Sequence, residues 1–220
     1  MLDSAALGTG LYATIYTPAC YDPTGKYPVL YLLHGQNMDD NFWFDMGATR
    51  IAEKAIRAGQ APFLIVMPYE ERMFDPPGDS MFYDALLNDL IPWVDAHFAT
   101  CTERVCRAIG GVSRGGGWAI RLVMRNFETF GALGAHSFGL MQADTWWAQK
   151  NLETHSLAEF PRIYLDRGDK DYLAEDIEYF ENALSANKIP HEYHIYPGIH
   201  NKDYWQAHVE EYMQFYMAAW

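Results

Sequence analysis

Two kinds of block alternate along this chain. Short apolar runs of strand length recur at Leu11 to Thr17, Val29 to Leu33, Phe63 to Met67, Val105 to Ile109, Gly131 to Ala135, Arg162 to Leu165 and His191 to Tyr196. Between them lie segments of helical character: Thr49 to Ala58, Tyr83 to Phe98, Trp118 to Asn126, Ala174 to Asn187 and a last one from about Lys202. Phe63 to Met67 is apolar throughout and stops at Pro68, as a parallel strand covered on both faces should. Pro92 falls inside the second helical segment and is expected to kink or divide it, because its ring removes a donor and crowds the preceding turn. This alternation predicts an α/β fold, a mostly parallel central sheet with helices on both faces. No repeat, low-complexity tract or linker interrupts it, so residues 1–220 read as a single domain.

Composition narrows the function. The chain has 220 residues, half of them hydrophobic and 15% aromatic, enough for a substantial core. A net charge of −13 argues against nucleic acid or an anionic membrane surface as partner, since both call for clustered Lys and Arg. No apolar stretch approaches the length of a membrane span, and the N-terminus lacks a basic-plus-apolar signal segment. A cytoplasmic chain and the mature form of a secreted one both fit. Three cysteines make neither a disulfide scaffold nor a zinc site. Cys101 and Cys106 flank the turn before one strand, where a bridge and two reduced thiols are both compatible with the spacing.

The densest chemical signal is Gly110-Gly111-Val112-Ser113-Arg114-Gly115-Gly116-Gly117. A serine with glycines two positions before and after, behind a strand and ahead of a helix, is the nucleophile elbow of α/β-hydrolases. A hydroxyl presented at the top of a sheet needs a sharp, strained turn, and small flanking residues avoid the collisions. Gly116 and Gly117 are expected to let the helix pack tightly on the strand.

A serine nucleophile needs an acid and then a histidine downstream in this fold. Arg162 to Asp171 reads as a strand running into a loop with three carboxylates. The position three residues after Gly168 selects Asp171, Asp169 is the runner-up, and Asp166 is expected to end the strand or cap the loop. His200, in a glycine-containing loop just past the last strand, is the expected general base. Oxyanion donors are expected from the amides of Arg114, directly after the nucleophile, and Gln36, after the strand ending at Leu33. His34 and His136 are read as structural, with a place at the pocket edge as the alternative for His136. His191 and His194 are expected to face opposite sides of a strand, and His97, His155 and His208 to lie on the surface. This chemistry calls for no cofactor and no metal.

The chain resembles the "Putative esterase" family of α/β-hydrolases, which includes feruloyl and acetyl xylan esterases, S-formylglutathione hydrolases, siderophore esterases and mycolyltransferases. The residues carrying the resemblance are Tyr27 to Gly35, Leu90-Ile91-Pro92, the Gly111 to Gly117 elbow, and Gly198-Ile199-His200 with Trp205 nearby. It implies the α/β-hydrolase fold, Ser113, Asp171 and His200 as triad, and the Gln36 and Arg114 amides as oxyanion hole. Two features depart from the family pattern. Arg114 stands where methionine, leucine or glutamine is frequent, and the loop Tyr69 to Ser80, with Glu70, Glu71, Arg72 and Pro76-Pro77, matches no subfamily. Residues 138–160 read as an insertion over the active site, carrying Trp146 and Trp147. Together with Trp205 these tryptophans are candidates to line the substrate pocket, helix packing being the alternative.

The expected activity is that of a serine carboxylesterase on small or carbohydrate-linked acyl esters, with feruloyl or acetyl esters favoured. An S-formylglutathione-type thioesterase, a sugar acyltransferase and a hydrolase-fold binding protein without turnover are the alternatives.

Overall fold

The computed structural model describes residues 1–141 and 144–220. The chain opens with strands β1 (Leu2–Ser4), β2 (Thr9–Leu11), β3 (Ala13–Tyr16) and β4 (Val29–Leu33). Helices α1 (Phe42–Asp45) and α2 (Ala48–Arg57) lead to β5 (Leu64–Pro68). Next come α3 (Phe82–Asp84), a π-helical turn at Ala85–Leu90, and α4 (Ile91–His97). The second half runs β6 (Arg107–Val112), α5 (Arg114–Arg125), β7 (Ala132–His136), α6 (Asp144–Asn151), β8 (Arg162–Gly168), α7 (Ala174–Ala186), β9 (Glu192–Tyr196) and α8 (Lys202–Met217).

Seven strands form one sheet in the order β3-β5-β4-β6-β7-β8-β9. β3 runs antiparallel to β5 and all the other pairs are parallel. Alternate residues of the central strands feed two separate cores. Val29, Tyr31 and Leu33 join Leu64, Val66 and Ile109 on one face, under residues of α4, α5 and α7. Leu30 and Leu32 join Ile65, Met67 and Ala108 on the other, under α2 and α8. With both faces covered, β4, β5 and β6 are buried along their whole length, hence the unbroken apolar sequence of β4 and β5, while β6 opens on Arg107, which is buried and paired with Asp95.

Several expected boundaries move for identifiable reasons. The run Leu11 to Thr17 is two strands: Leu11 ends β2, which pairs with β1, and β3 begins at Ala13. α5 begins at Arg114 rather than Trp118, its first turn hidden in the sequence by three poor helix formers, Gly115 to Gly117. The helical segment Tyr83 to Phe98 is divided just ahead of Pro92, as expected: the π-helical turn gives way there to α4, and Pro92 sits in the first turn of α4. β8 continues through Gly168, so Asp166 lies inside the strand, paired in register with His136, and neither ends it nor caps the loop. Cys101 and Cys106 are joined as a disulfide ahead of β6.

Candidate active site

Ser113 links β6 to α5 with φ 53° and ψ −122°, a left-handed conformation that an L-residue adopts only under constraint. Its neighbours make that conformation possible. A Cβ at Gly111 would come 2.5 Å from the Gly115 carbonyl carbon, and one at Gly115 would come 2.5 Å from the His34 oxygen. Gly116 and Gly117 face the segment after β7 at Phe138 and Gly139, and only the former also nears β6, at the Gly111 oxygen. Ser113 N–H donates to the His136 carbonyl at 2.9 Å, and the Ser113 carbonyl accepts from the Gly117 and Gly139 amides.

The three residues selected from sequence converge. Ser113 Oγ lies 2.9 Å from His200 Nε2, and His200 Nδ1 lies 3.0 and 3.1 Å from the two carboxylate oxygens of Asp171. Asp171 Oδ1 also accepts the Leu173 amide at 2.9 Å. Burial alone would raise the Asp171 pKa, but the hydrogen bonds from His200 and Leu173 outweigh it and hold the carboxyl below its ordinary value. Asp171 is therefore ionised at neutral pH and accepts from Nδ1–H, which leaves Nε2 free to accept from the serine hydroxyl. Asn201 caps α8 by accepting from the Tyr204 amide at 2.9 Å, fixing the chain directly after His200.

The competing carboxylates do other work. Asp169 Oδ1 accepts the Gly198 amide at 2.9 Å, bracing the histidine loop without touching His200. Asp166 is fully buried and accepts from Tyr204 and Tyr212 hydroxyls at 2.6 and 2.8 Å, with His136 Nδ1 at 2.7 Å. His136 is thus structural, its other nitrogen 3.0 Å from the Tyr216 hydroxyl.

The proposed oxyanion donors belong to segments adjoining Ser113. Arg114 opens α5, and Gln36 follows Gly35, where a Cβ would come 3.2 Å from Ser113 Cβ. Burial holds His34 below the ordinary histidine range, so its ring is neutral. Its Nδ1–H donates to the Gly35 carbonyl at 2.8 Å, and its Nε2 accepts the Glu70 amide at 2.9 Å. The Arg114 side chain turns away from the triad onto Glu70, with Nε–Oε2 at 2.8 Å and Nη2–Oε1 at 2.6 Å.

Trp205 does not line a pocket: it is 2% exposed and packs edge-on behind the His200 ring at 5.1 Å. Trp147 packs against the main core and carries Arg125 and Lys150 over its ring. Trp146, half-exposed, lies beside Trp147 and under Lys150. Both stand on α6, packed against α5 and α7. Residues 142 and 143, inside the expected insertion 138–160, lie outside the described residues. Sequence reasoning did not single out an exposed aromatic beside His200. Tyr172 is 74% exposed with its ring 4.5 Å from that of His200. Its position directly after the expected acid was the available signal. Two cavities flank the loop 69–82 rather than the triad. One is lined by Tyr12, Tyr69 and Glu71 and the other by Tyr83, Trp118 and Leu140. Among the described residues no helix is long and apolar enough to cross a membrane.

A seven-stranded sheet with helices on both faces, and a strained serine between its central strand and the following helix, define the α/β-hydrolase class. Residues 4–215 match the model of the family described as "Putative esterase", and the chain belongs to that family. A xylanase/feruloyl esterase of Xylanibacter ruminicola is 30% identical over 196 residues, covering 83% of this chain and 26% of that protein. An esterase of Mycobacterium tuberculosis is 30% identical over 143 residues, covering 61% of this chain and 30% of its own length. The chain thus spans under a third of these curated relatives. Among solved structures, a ferulic acid esterase superposes with TM-score 0.85 at 22% identity, over 99% of this chain and 96% of the other. An S-formylglutathione hydrolase of Staphylococcus aureus gives 0.78 at 19% identity, over 98% and 96%. At these identities the structural likeness establishes the fold.

Proposed function

We propose that this protein is a serine carboxylesterase of carbohydrate-linked acyl esters, feruloyl or acetyl, working through Ser113, His200 and Asp171 as a single catalytic domain. The observation that carries the proposal is the unbroken hydrogen-bond chain from Ser113 Oγ through both His200 nitrogens to buried Asp171. Ser113 Oγ bonds to the ester carbonyl carbon while its proton passes to His200 Nε2, and the carbonyl electrons move onto oxygen beside the Arg114 and Gln36 amides. Collapse of that adduct breaks the ester C–O bond, and His200 gives its proton to the departing alcohol. Water then attacks the acyl carbon as it gives a proton to His200; the bond from that carbon to Ser113 Oγ breaks, His200 returns the proton to Oγ, and the acid is released. Asp171 holds the ring in the required tautomer and stabilises the imidazolium.

The feruloyl esterase named among the sequence relatives supports the substrate class. So does Tyr172, an exposed flat ring beside the base on which an aromatic or sugar ring can stack. The experiment is a fluorophosphonate label mapped by peptide mass, followed by methyl ferulate, acetylated xylan and S-formylglutathione assayed side by side. Labelling at Ser113 with the highest specificity constant on methyl ferulate or acetylated xylan is expected. Preference for S-formylglutathione moves the substrate to the thioester. Absence of labelling and of turnover leaves a binding protein.

A further inference from the structure

We propose that the Glu70–Arg114 ion pair is a positioning device that holds both oxyanion donors in place, resting on the reading of Ser113 as nucleophile. The two departures from the family pattern, Arg114 and the loop Tyr69 to Ser80, meet in space. Glu70 is 3% exposed, and its carboxylate receives two bonds from Arg114, one from Trp118 Nε1 at 2.9 Å and one from the Ser80 hydroxyl at 3.4 Å. Arg114 Nη2 also donates to the Asp75 carbonyl at 3.0 Å.

The pair is connected to both donors. Arg114 carries the first donor on its own backbone, so fixing its guanidinium fixes the residue that opens α5. The second donor is reached through Glu70 itself, whose amide donates to His34 Nε2 while His34 Nδ1–H donates to the Gly35 carbonyl. That carbonyl and the Gln36 N–H belong to one planar peptide, so holding the oxygen on the His34 side aims the N–H the opposite way. Glu70 therefore grips one donor with its side chain and the other with its backbone. Burying an ion pair costs desolvation that well-packed apolar residues of the same volume avoid. Placement of the two amides is what the pair supplies and an apolar pair would not.

Four variants test this: Glu70→Gln, Arg114→Lys, Arg114→Met and the double variant Glu70→Leu/Arg114→Met. Each is read by melting temperature, by kcat and KM on p-nitrophenyl acetate, and by affinity for phenylboronic acid, which forms a tetrahedral adduct on the serine. Fluorophosphonate labelling of the unmutated protein at Ser113 comes first, and its failure would count against the esterase reading rather than this pair. Apolar replacement of both partners is expected to keep the melting temperature, while kcat falls about 10- to 100-fold with KM little changed. Boronate affinity falls in parallel. Arg114→Lys keeps the charge but loses the fork, and is expected to show a smaller loss of the same kind. A double variant that folds with unchanged kcat and boronate affinity overturns the proposal. Should the double variant not fold, Arg114→Lys decides: unchanged kcat and boronate affinity there overturn it equally.

Discussion

Replacing Asp171 by Asn tests the acid assignment most directly, because the two residues have nearly the same shape and differ in what they offer His200. The Asp171 carboxylate accepts from His200 Nδ1 at 3.0 Å and from the Leu173 amide at 2.9 Å through the same oxygen, Oδ1. Asn has one acceptor oxygen. If it serves the Leu173 N–H, the amide NH2 faces Nδ1, and the ring must carry its proton on Nε2 and point it at Ser113. A base protonated on its working nitrogen cannot accept the serine proton. In a Ser-His-Asp triad the wrong tautomer costs about 10⁴ in kcat, or about 5 kcal/mol of transition-state stabilisation at 1.36 kcal/mol per decade. The folded state loses a charge-assisted bond, about 1.5–3 kcal/mol, so a melting curve verifies that the variant is folded at the assay temperature. Asp169→Asn is the control. Its Oδ1 accepts the Gly198 amide, a bond an Asn oxygen preserves, and kcat should stay within a few-fold. Both are measured on p-nitrophenyl acetate across pH 6 to 9. A folded Asp171→Asn enzyme retaining a tenth of the activity, or an equal loss at Asp169, would refute the assignment.

Three further outcomes are expected. Removing the Cys101–Cys106 bridge by double replacement with serine should lower stability by about 2 kcal/mol, from the entropy of a loop with sequence separation 5, and leave kcat unchanged; a denaturant titration with parallel assays checks both. Asp144 is fully buried against Arg121, and burial raises its pKa to about 6. The folded state then holds a proton that the unfolded chain has shed from about pH 4, so stability present below pH 4 is lost as pH rises to 6. The loss is at most about 3 kcal/mol, and it is absent from the stability–pH curve of Asp144→Asn whatever that variant's absolute stability. Tyr172→Ala should narrow the preference for methyl ferulate over a simple alkyl ester by about 3- to 10-fold while Trp146→Ala leaves it unchanged; the ratio of specificity constants reports this, and the reverse pattern would return the aromatic subsite to α6.

What the sequence disclosed follows from how local each signal was. Ser113 is legible because its strain demands glycines at fixed offsets, and fixed offsets survive in one dimension. Asp171 and His200 were selected by loop position, Asp171 ahead of Asp169 and Asp166 by its spacing from Gly168. What that spacing did not disclose is that β8 runs three residues past Leu165, which carries Asp166 into the interior opposite His136. The buried group His136, Asp166, Tyr204, Tyr212 and Tyr216 draws on β7, β8 and α8, and no spacing rule links those segments. The tryptophans stayed open between platform and packing for a related reason. An aromatic side chain serves as platform or as packing according to which way its helix faces, and the sequence of α6 has almost no amphipathic pattern to say which.

The same polar group bears on why the elbow holds its shape. A serine in left-handed backbone costs about 1–3 kcal/mol, and such strain persists only where the surroundings over-determine it. Here the Ser113 amide is held by the His136 carbonyl, and the His136 ring is fixed at both nitrogens, by Asp166 and by Tyr216. Asp166 is held in turn by Tyr204, the third residue of the helix that starts just after His200, and by Tyr212, about two turns further along it. The strand end that bends Ser113 and the helix that follows its base are therefore tied through one carboxylate. Burial of polar groups is costly unless they are fully paired, and it is most easily justified where geometry must be exact to a fraction of an ångström. That pairing ties the segments that carry Ser113 and His200 together through Asp166. The role proposed for Glu70 and Arg114 adds a second buried polar frame, at the Arg114 and Gln36 peptides.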